Sequence, residues 1–89
     1  MSKEIEMLSA RCENEDFSRA EYKDFSDEYG TTKVYKVDGG DLTLYYWNSQ
    51  NSRRIEHSEA LNYISEELMN GVQSGTVFDG WNEIMFEIK

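Results

Sequence analysis

The chain has 89 residues, with 9 Lys+Arg against 18 Asp+Glu and a formal net charge of −9, a length that fits one domain with one small core. Apolar residues at 38% and aromatics at 13% set it apart from acidic disordered tails, so a folded domain is expected. No apolar run reaches the roughly 18 residues of a membrane span, Met1-Ser2-Lys3-Glu4-Ile5-Glu6 lacks the apolar stretch of a secretory signal, and Cys12 is alone, so the expectation is a cytoplasmic chain without an internal disulfide.

Ile5, Leu8 and Cys12 fall at i, i+3, i+7 and favour a short first helix. Ser18-Arg19-Ala20-Glu21 has the S-x-x-E form of a capping box, Tyr22, Phe25 and Tyr29 repeat at helical spacing, and Gly30 stands where a left-handed C-terminal residue is wanted. This predicts a helix over 19–29. The period then changes to two. Residues 32–37 read as a strand, Asp38-Gly39-Gly40-Asp41 as a tight turn, and 42–47 as the return strand of a hairpin. In the return strand Leu42, Leu44 and Tyr46 face one side and Thr43, Tyr45 and Trp47 the other. At least one of Tyr45 and Trp47 is expected in the core, the other serving as core or as an apolar anchor for a partner.

Asn48 to Ser52 reads as a polar turn, and 53–57 as an edge strand guarded by Arg53 and Arg54. A second helix over 59–70 follows, with Ser58 as N-cap, Leu61, Ile64 and Leu68 on its buried face, and Gly71 at its end. Residues 72–80 read as a loop, and 81–88 as a strand alternating Ile84, Phe86 and Ile88 against Met85 and Glu87. The expected fold is a small single α+β domain over 1–89, with a mainly antiparallel sheet of three to four strands and two to three helices.

Acid is concentrated in the flanks. Residues 1–30 carry nine acids against four bases, 31–57 three against four, and 58–89 six against one. Such a field opposes phosphates, so direct nucleic-acid binding is not expected. One Cys and one His cannot form a four-ligand zinc site, Asp38–Asp41 lacks calcium-loop spacing, and no glycine-rich phosphate cradle is present, so neither metal nor cofactor is expected. Catalysis would have to rest on Cys12 with His57, which nothing in the sequence brings together; the expectation is a non-enzyme.

The feature that carries weight is the acid itself. On a helix over 19–29, Glu21, Asp24 and Glu28 form one stripe with Asp27 beside it, and carboxylates so placed repel one another. A basic partner would neutralise them. The predicted partner-binding residues are Glu13, Glu15, Asp16, Glu21, Asp24, Asp27 and Glu28, with Glu59, Glu66 and Glu67 as the second acidic flank. A surface with carboxylates every 5–10 Å or so imitates the phosphate array of a duplex to a cleft built for DNA.

In size, charge and element mix the whole chain resembles the DNA-mimic inhibitors carried by phages: anti-restriction proteins of the Arn type, uracil-DNA glycosylase inhibitors and some anti-CRISPR proteins. With two acidic flanks around a neutral sheet it is most similar to the Arn type. That resemblance implies a dimer that occupies the DNA-binding region of a modification-dependent restriction endonuclease in the host cytoplasm. Lys33, Lys36, Arg53 and Arg54 depart from an unbroken acidic field, so mimicry would use the flanks alone. The alternative is an acidic immunity protein or antitoxin that plugs a basic nuclease active site. A third reading is a structural subunit whose acidity serves solubility.

Overall fold

The computed structural model describes residues 3–12, 20–21, 33–49 and 55–89. The elements are α1 (Lys3–Cys12), β1 (Ala20–Glu21), β2 (Tyr35–Asp38), β3 (Thr43–Asn48), α2 (His57–Met69), β4 (Ser74–Phe78) and β5 (Glu83–Ile88). All strand pairings are antiparallel, in the order β1-β2-β3-β5-β4. Four strands of four to six residues carry the sheet, and the two-residue β1 adds a fifth at one edge. The expected α+β domain with an antiparallel sheet is what forms.

The core lies between the sheet and two helices. Val37, Leu44, Tyr46, Val77, Ile84 and Phe86 line one sheet face, at alternate positions of their strands, and pack with Ile5, Leu8 and Cys12 of α1 and Ala60, Leu61, Ile64 and Leu68 of α2. The two helices also touch each other, and Ser65 Oγ donates to the Ser9 carbonyl at 3.4 Å. β5 inserts between β3 and β4, so β3–α2–β4 is a split crossover with α2 laid over the sheet. On the opposite sheet face Val34 and Trp47 are buried, with Tyr45 and Met85 packed against them. Trp47 is therefore core.

The hairpin at 38–41 forms as read. Asp38 pairs with Thr43, the Gly39 N–H donates to the Leu42 carbonyl at 2.9 Å, and the Gly40 N–H donates to Asp38 Oδ1 at 3.0 Å. Gly40 has φ +97°, and Gly39 packs so closely under α1 that a Cβ there would lie 2.8 Å from Leu8 Cδ1 and 3.0 Å from Leu8 Cα. The end of α2 is a Schellman turn. The Gly71 N–H donates to the Leu68 carbonyl and the Val72 N–H to the Glu67 carbonyl, with Gly71 at φ +87°.

Four expectations are corrected. Ala20–Glu21 is strand rather than the start of a 19–29 helix: its backbone pairs with Tyr35 and Lys36, giving β2 a neighbour on its outer side. Residues 22–29 lie outside the described residues. The edge strand over 53–57 is replaced by helix from His57, after Ile55 enters the core, while 53–54 lie outside the described residues. The N-cap of α2 is Glu56, without a side-chain cap, and Ser58 sits inside the helix. Residues 74–78, read as loop, are strand β4, because each of them pairs with β5.

Candidate functional site

The outer face of α2 is acidic and carries no base. At about 100° per residue, Glu59, Tyr63 and Glu66 fall within roughly 60° of one another, opposite Leu61, Ile64 and Leu68. The buried leucines anchor the helix, so the other side must face out: Glu59 and Glu66 are exposed, Tyr63 is half-exposed at 49%, and Glu67 is half-buried. Helix α1 distributes charge the conventional way, with Glu4 and Glu6 in its first turn and Arg11 in its last. In α2 only Glu59 obeys this rule. Glu66 and Glu67 occupy the last turn, where the helix dipole is negative, and no basic residue accompanies them.

The N-terminal end of α2 is held from a distance. Asp79, in the turn between β4 and β5, is fully buried and its carboxylate spans two segments. Oδ2 accepts the Glu56 N–H at 2.9 Å and the Asn82 side-chain amide at 3.4 Å. Oδ1 accepts the N–H groups of Trp81 at 2.9 Å and Asn82 at 2.8 Å. Burial pushes the Asp79 carboxyl up, but the three backbone N–H groups and the Asn82 amide outweigh it and hold the group below the ordinary value of 3.8. A carboxylate beside the first residues of α2 also meets the positive end of its dipole. Asp79 thus meets the N–H of the N-cap residue, the role that the third residue of the helix plays in a capping box.

The same turn approaches Glu59 and carries an exposed aromatic. Gly80 has φ +98°, and a Cβ there would lie 3.3 Å from Glu59 Oε2. The next residue, Trp81, is 77% exposed. Glu59 thus stands beside the turn that presents Trp81, with Tyr63 one helical turn further on. Acceptor carboxylates on a face that also offers exposed Tyr and Trp rings suit the guanidinium and ammonium groups of a protein partner.

Of the predicted partner-binding residues, Glu59, Glu66 and Glu67 share this helix. Glu21 lies in strand β1, so it does not open a helical stripe with Asp24 and Glu28. Glu13, Glu15, Asp16, Asp24, Asp27 and Glu28 lie outside the described residues. Cys12 is buried in the core, whereas His57 Nδ1 shares a 2.7 Å hydrogen bond with Tyr46 Oη and its ring meets Tyr35 edge-on. The two residues weighed as a catalytic pair are each engaged in packing.

Tyr63 and Trp81 were not singled out by the sequence reading. The signal for Trp81 was its place directly after the Asp79-Gly80 turn, where a large apolar residue has no strand neighbour to cover it. Among the described residues, no helix is long and apolar enough to cross a membrane. No family model, curated protein or solved structure matches this chain.

Proposed function

We propose that the chain is a non-enzymatic acidic inhibitor that occupies the DNA-binding cleft of a basic protein, such as a restriction endonuclease, by imitating duplex phosphates. The supporting observation is the last turn of α2. Two carboxylates placed against the helix dipole with no compensating base cost stability, by about 0.3–1 kcal/mol each. A basic partner removes that cost on binding. Glu59 and Glu66 stand on the same exposed face of α2, two turns apart and about 10.5 Å along the helix.

The second reading, an immunity protein or antitoxin, is favoured by the aromatics. Tyr63 on the face of Glu59, and Trp81 following the Gly80 that Glu59 approaches, are exposed rings of the kind that fill a pocket.

The test is capture of basic DNA-binding proteins from a bacterial lysate on the immobilised chain at low salt, with duplex DNA as competitor. Capture should fall steeply as the Debye length drops below about 8 Å, and duplex DNA should displace the captured protein. Combined Glu59→Gln, Glu66→Gln and Glu67→Gln substitution should weaken it, and Asp24→Asn, Asp27→Asn and Glu28→Gln together should do the same through the other flank. Capture indifferent to salt and to duplex DNA would overturn the mimic. Salt-sensitive capture of a nuclease that DNA does not displace, lost in Trp81→Ala, would select the immunity reading.

A further inference from the structure

Strand β4 is the outer strand at one side of the sheet, and the direction of its backbone groups follows from its register. The Ile88 N–H donates to the Gln73 carbonyl at 3.1 Å and the Asp79 N–H to the Asn82 carbonyl at 3.3 Å. With Ser74 opposite Glu87 and Phe78 opposite Glu83, the odd-numbered residues bond to β5. The N–H and C=O groups of Ser74, Thr76 and Phe78 therefore point away from the sheet, and no other strand among the described residues pairs with them. Edge strands are normally guarded by lysine, proline or a bulge. Ser74-Gly75-Thr76-Val77-Phe78 has no charge and no proline, its pairing with β5 runs without a bulge, and Phe78 is 59% exposed.

The edge is self-complementary. We infer that two copies of this chain join β4 to β4 in antiparallel fashion about a two-fold axis at Thr76, making one sheet continuous across the pair. In that register Ser74 faces Phe78 of the other copy and Thr76 faces its own equivalent. All three pairs join outward-pointing groups, which gives six backbone hydrogen bonds. Thr opposite Thr is a favourable cross-strand pair, and each Phe78 ring lies beside the small Ser74 of the other copy.

Charge selects the same contact. A chain of net charge −9 repels its copy over most of its surface, yet residues 70–78 contain no charged side chain. The carboxylates nearest the edge in this row are on β5. Glu87 of one copy and Glu83 of the other stand three strand spacings apart, roughly 14 Å, beyond the Debye length of about 8 Å at physiological salt. The contact is small. Phe78 is the only large apolar side chain of the strand exposed at this edge, so the area falls short of the roughly 800 Å² per partner of a stable interface and the pair is weak and concentration-dependent. This inference uses a different surface from the acidic face of α2 and does not depend on it.

Sedimentation of the full chain from micromolar to millimolar concentration should show a monomer passing to a dimer. Thr76→Lys places two ammonium groups opposite each other at the axis while leaving the β4–β5 bonds in place. It should hold the chain monomeric over the same range with an unchanged circular dichroism spectrum. The register is read by cross-linking. Paired residues at the axis have Cα atoms about 5.5 Å apart, within disulfide range, so Thr76→Cys should form a disulfide-linked dimer on mild oxidation. Ser74→Cys should not, since its equivalent lies about 13.6 Å away along the strand. A chain that stays monomeric throughout overturns the inference, even if the edge takes up a strand from another protein. So does a Ser74→Cys chain that cross-links as readily as Thr76→Cys.

Discussion

Replacing Asp79 by alanine should destabilise the fold by about 3 kcal/mol. The carboxylate is fully buried and accepts three backbone N–H groups, from Glu56, Trp81 and Asn82, at 2.8 to 2.9 Å. Alanine leaves all three donors without this acceptor. The Asn82 bond is buried and its donor should bear the full cost of an unmet hydrogen bond, about 1–3 kcal/mol; those of Glu56 and Trp81 are part-buried and regain water at roughly 0.5–1.5 kcal/mol each. Part of this is returned because the variant no longer buries a charge.

Against a total stability of roughly 4–13 kcal/mol for a chain of this length, 3 kcal/mol lowers the midpoint of thermal unfolding by about 12–24 °C. Urea denaturation at pH 7 measures the difference directly. The sign with pH follows from the lowered pKa. The unfolded chain takes up the Asp79 proton first, so the stability from this group is complete above about 3.8 and is lost as pH falls through the lower folded value. Asp79→Asn keeps one acceptor oxygen and does not titrate. Its stability should lie below the parent's at pH 7 and converge on it towards pH 2. A cost for Asp79→Ala under about 1 kcal/mol, or parallel pH curves for parent and Asp79→Asn, would refute the reasoning.

Gly39→Ala should cost about 1–3 kcal/mol, because the added Cβ meets Leu8 Cα and the Leu42 carbonyl at 3.0 Å and neither backbone can yield without moving α1 off the hairpin; a urea midpoint within error of the parent's would contradict this. Ser9→Ala should be neutral or stabilise by up to about 1 kcal/mol, since the Ser9 Oγ is buried without a hydrogen-bond partner while its carbonyl, which accepts from Ser65, is kept. Glu66→Gln with Glu67→Gln should raise stability at low salt, by about 0.3–1 kcal/mol per site, and the gain should shrink in high salt. Equal melting curves at both ionic strengths would show that the dipole conflict is already screened.

Where local pattern and burial agreed, the sequence was readable. The hairpin of β2 and β3 announced itself by a period of two on either side of Asp38-Gly39-Gly40-Asp41, and α2 by Leu61, Ile64, Leu68 and Gly71. The failures share one cause, a partner far away in the chain. β4 buries only Val77 and has Gly75 as its second residue, so it shows almost no hydrophobic alternation; it is a strand because β5 lies beside it. Glu56 could not be read as an N-cap because the oxygen that meets its N–H belongs to Asp79, 23 residues on. Ala20 and Glu21 have a locally plausible capping box that pairing with β2 overrides. For the candidate site, helical spacing placed Glu59 and Glu66 on the outer face. It gave no sign that the β4–β5 turn would come to lie beside Glu59.

The position of β5 in the sheet has a consequence for how the protein is made. β3 finds its inner neighbour only in residues 83–88, after the 34 residues from Ser49 to Asn82 have been added. At ribosomal rates of about 5–20 residues per second, that interval is roughly 2–7 s. Through it Leu44 and Tyr46 lack their cross-strand partners Ile88 and Phe86, and β3 presents a free edge on the side that β5 will fill, as β4 does once residues 74–78 have been added. Closure of the sheet therefore waits for β5. During that window the nascent chain is most exposed to pairing with the wrong strand, and the repulsion of its many carboxylates keeps neighbouring chains apart until β5 arrives.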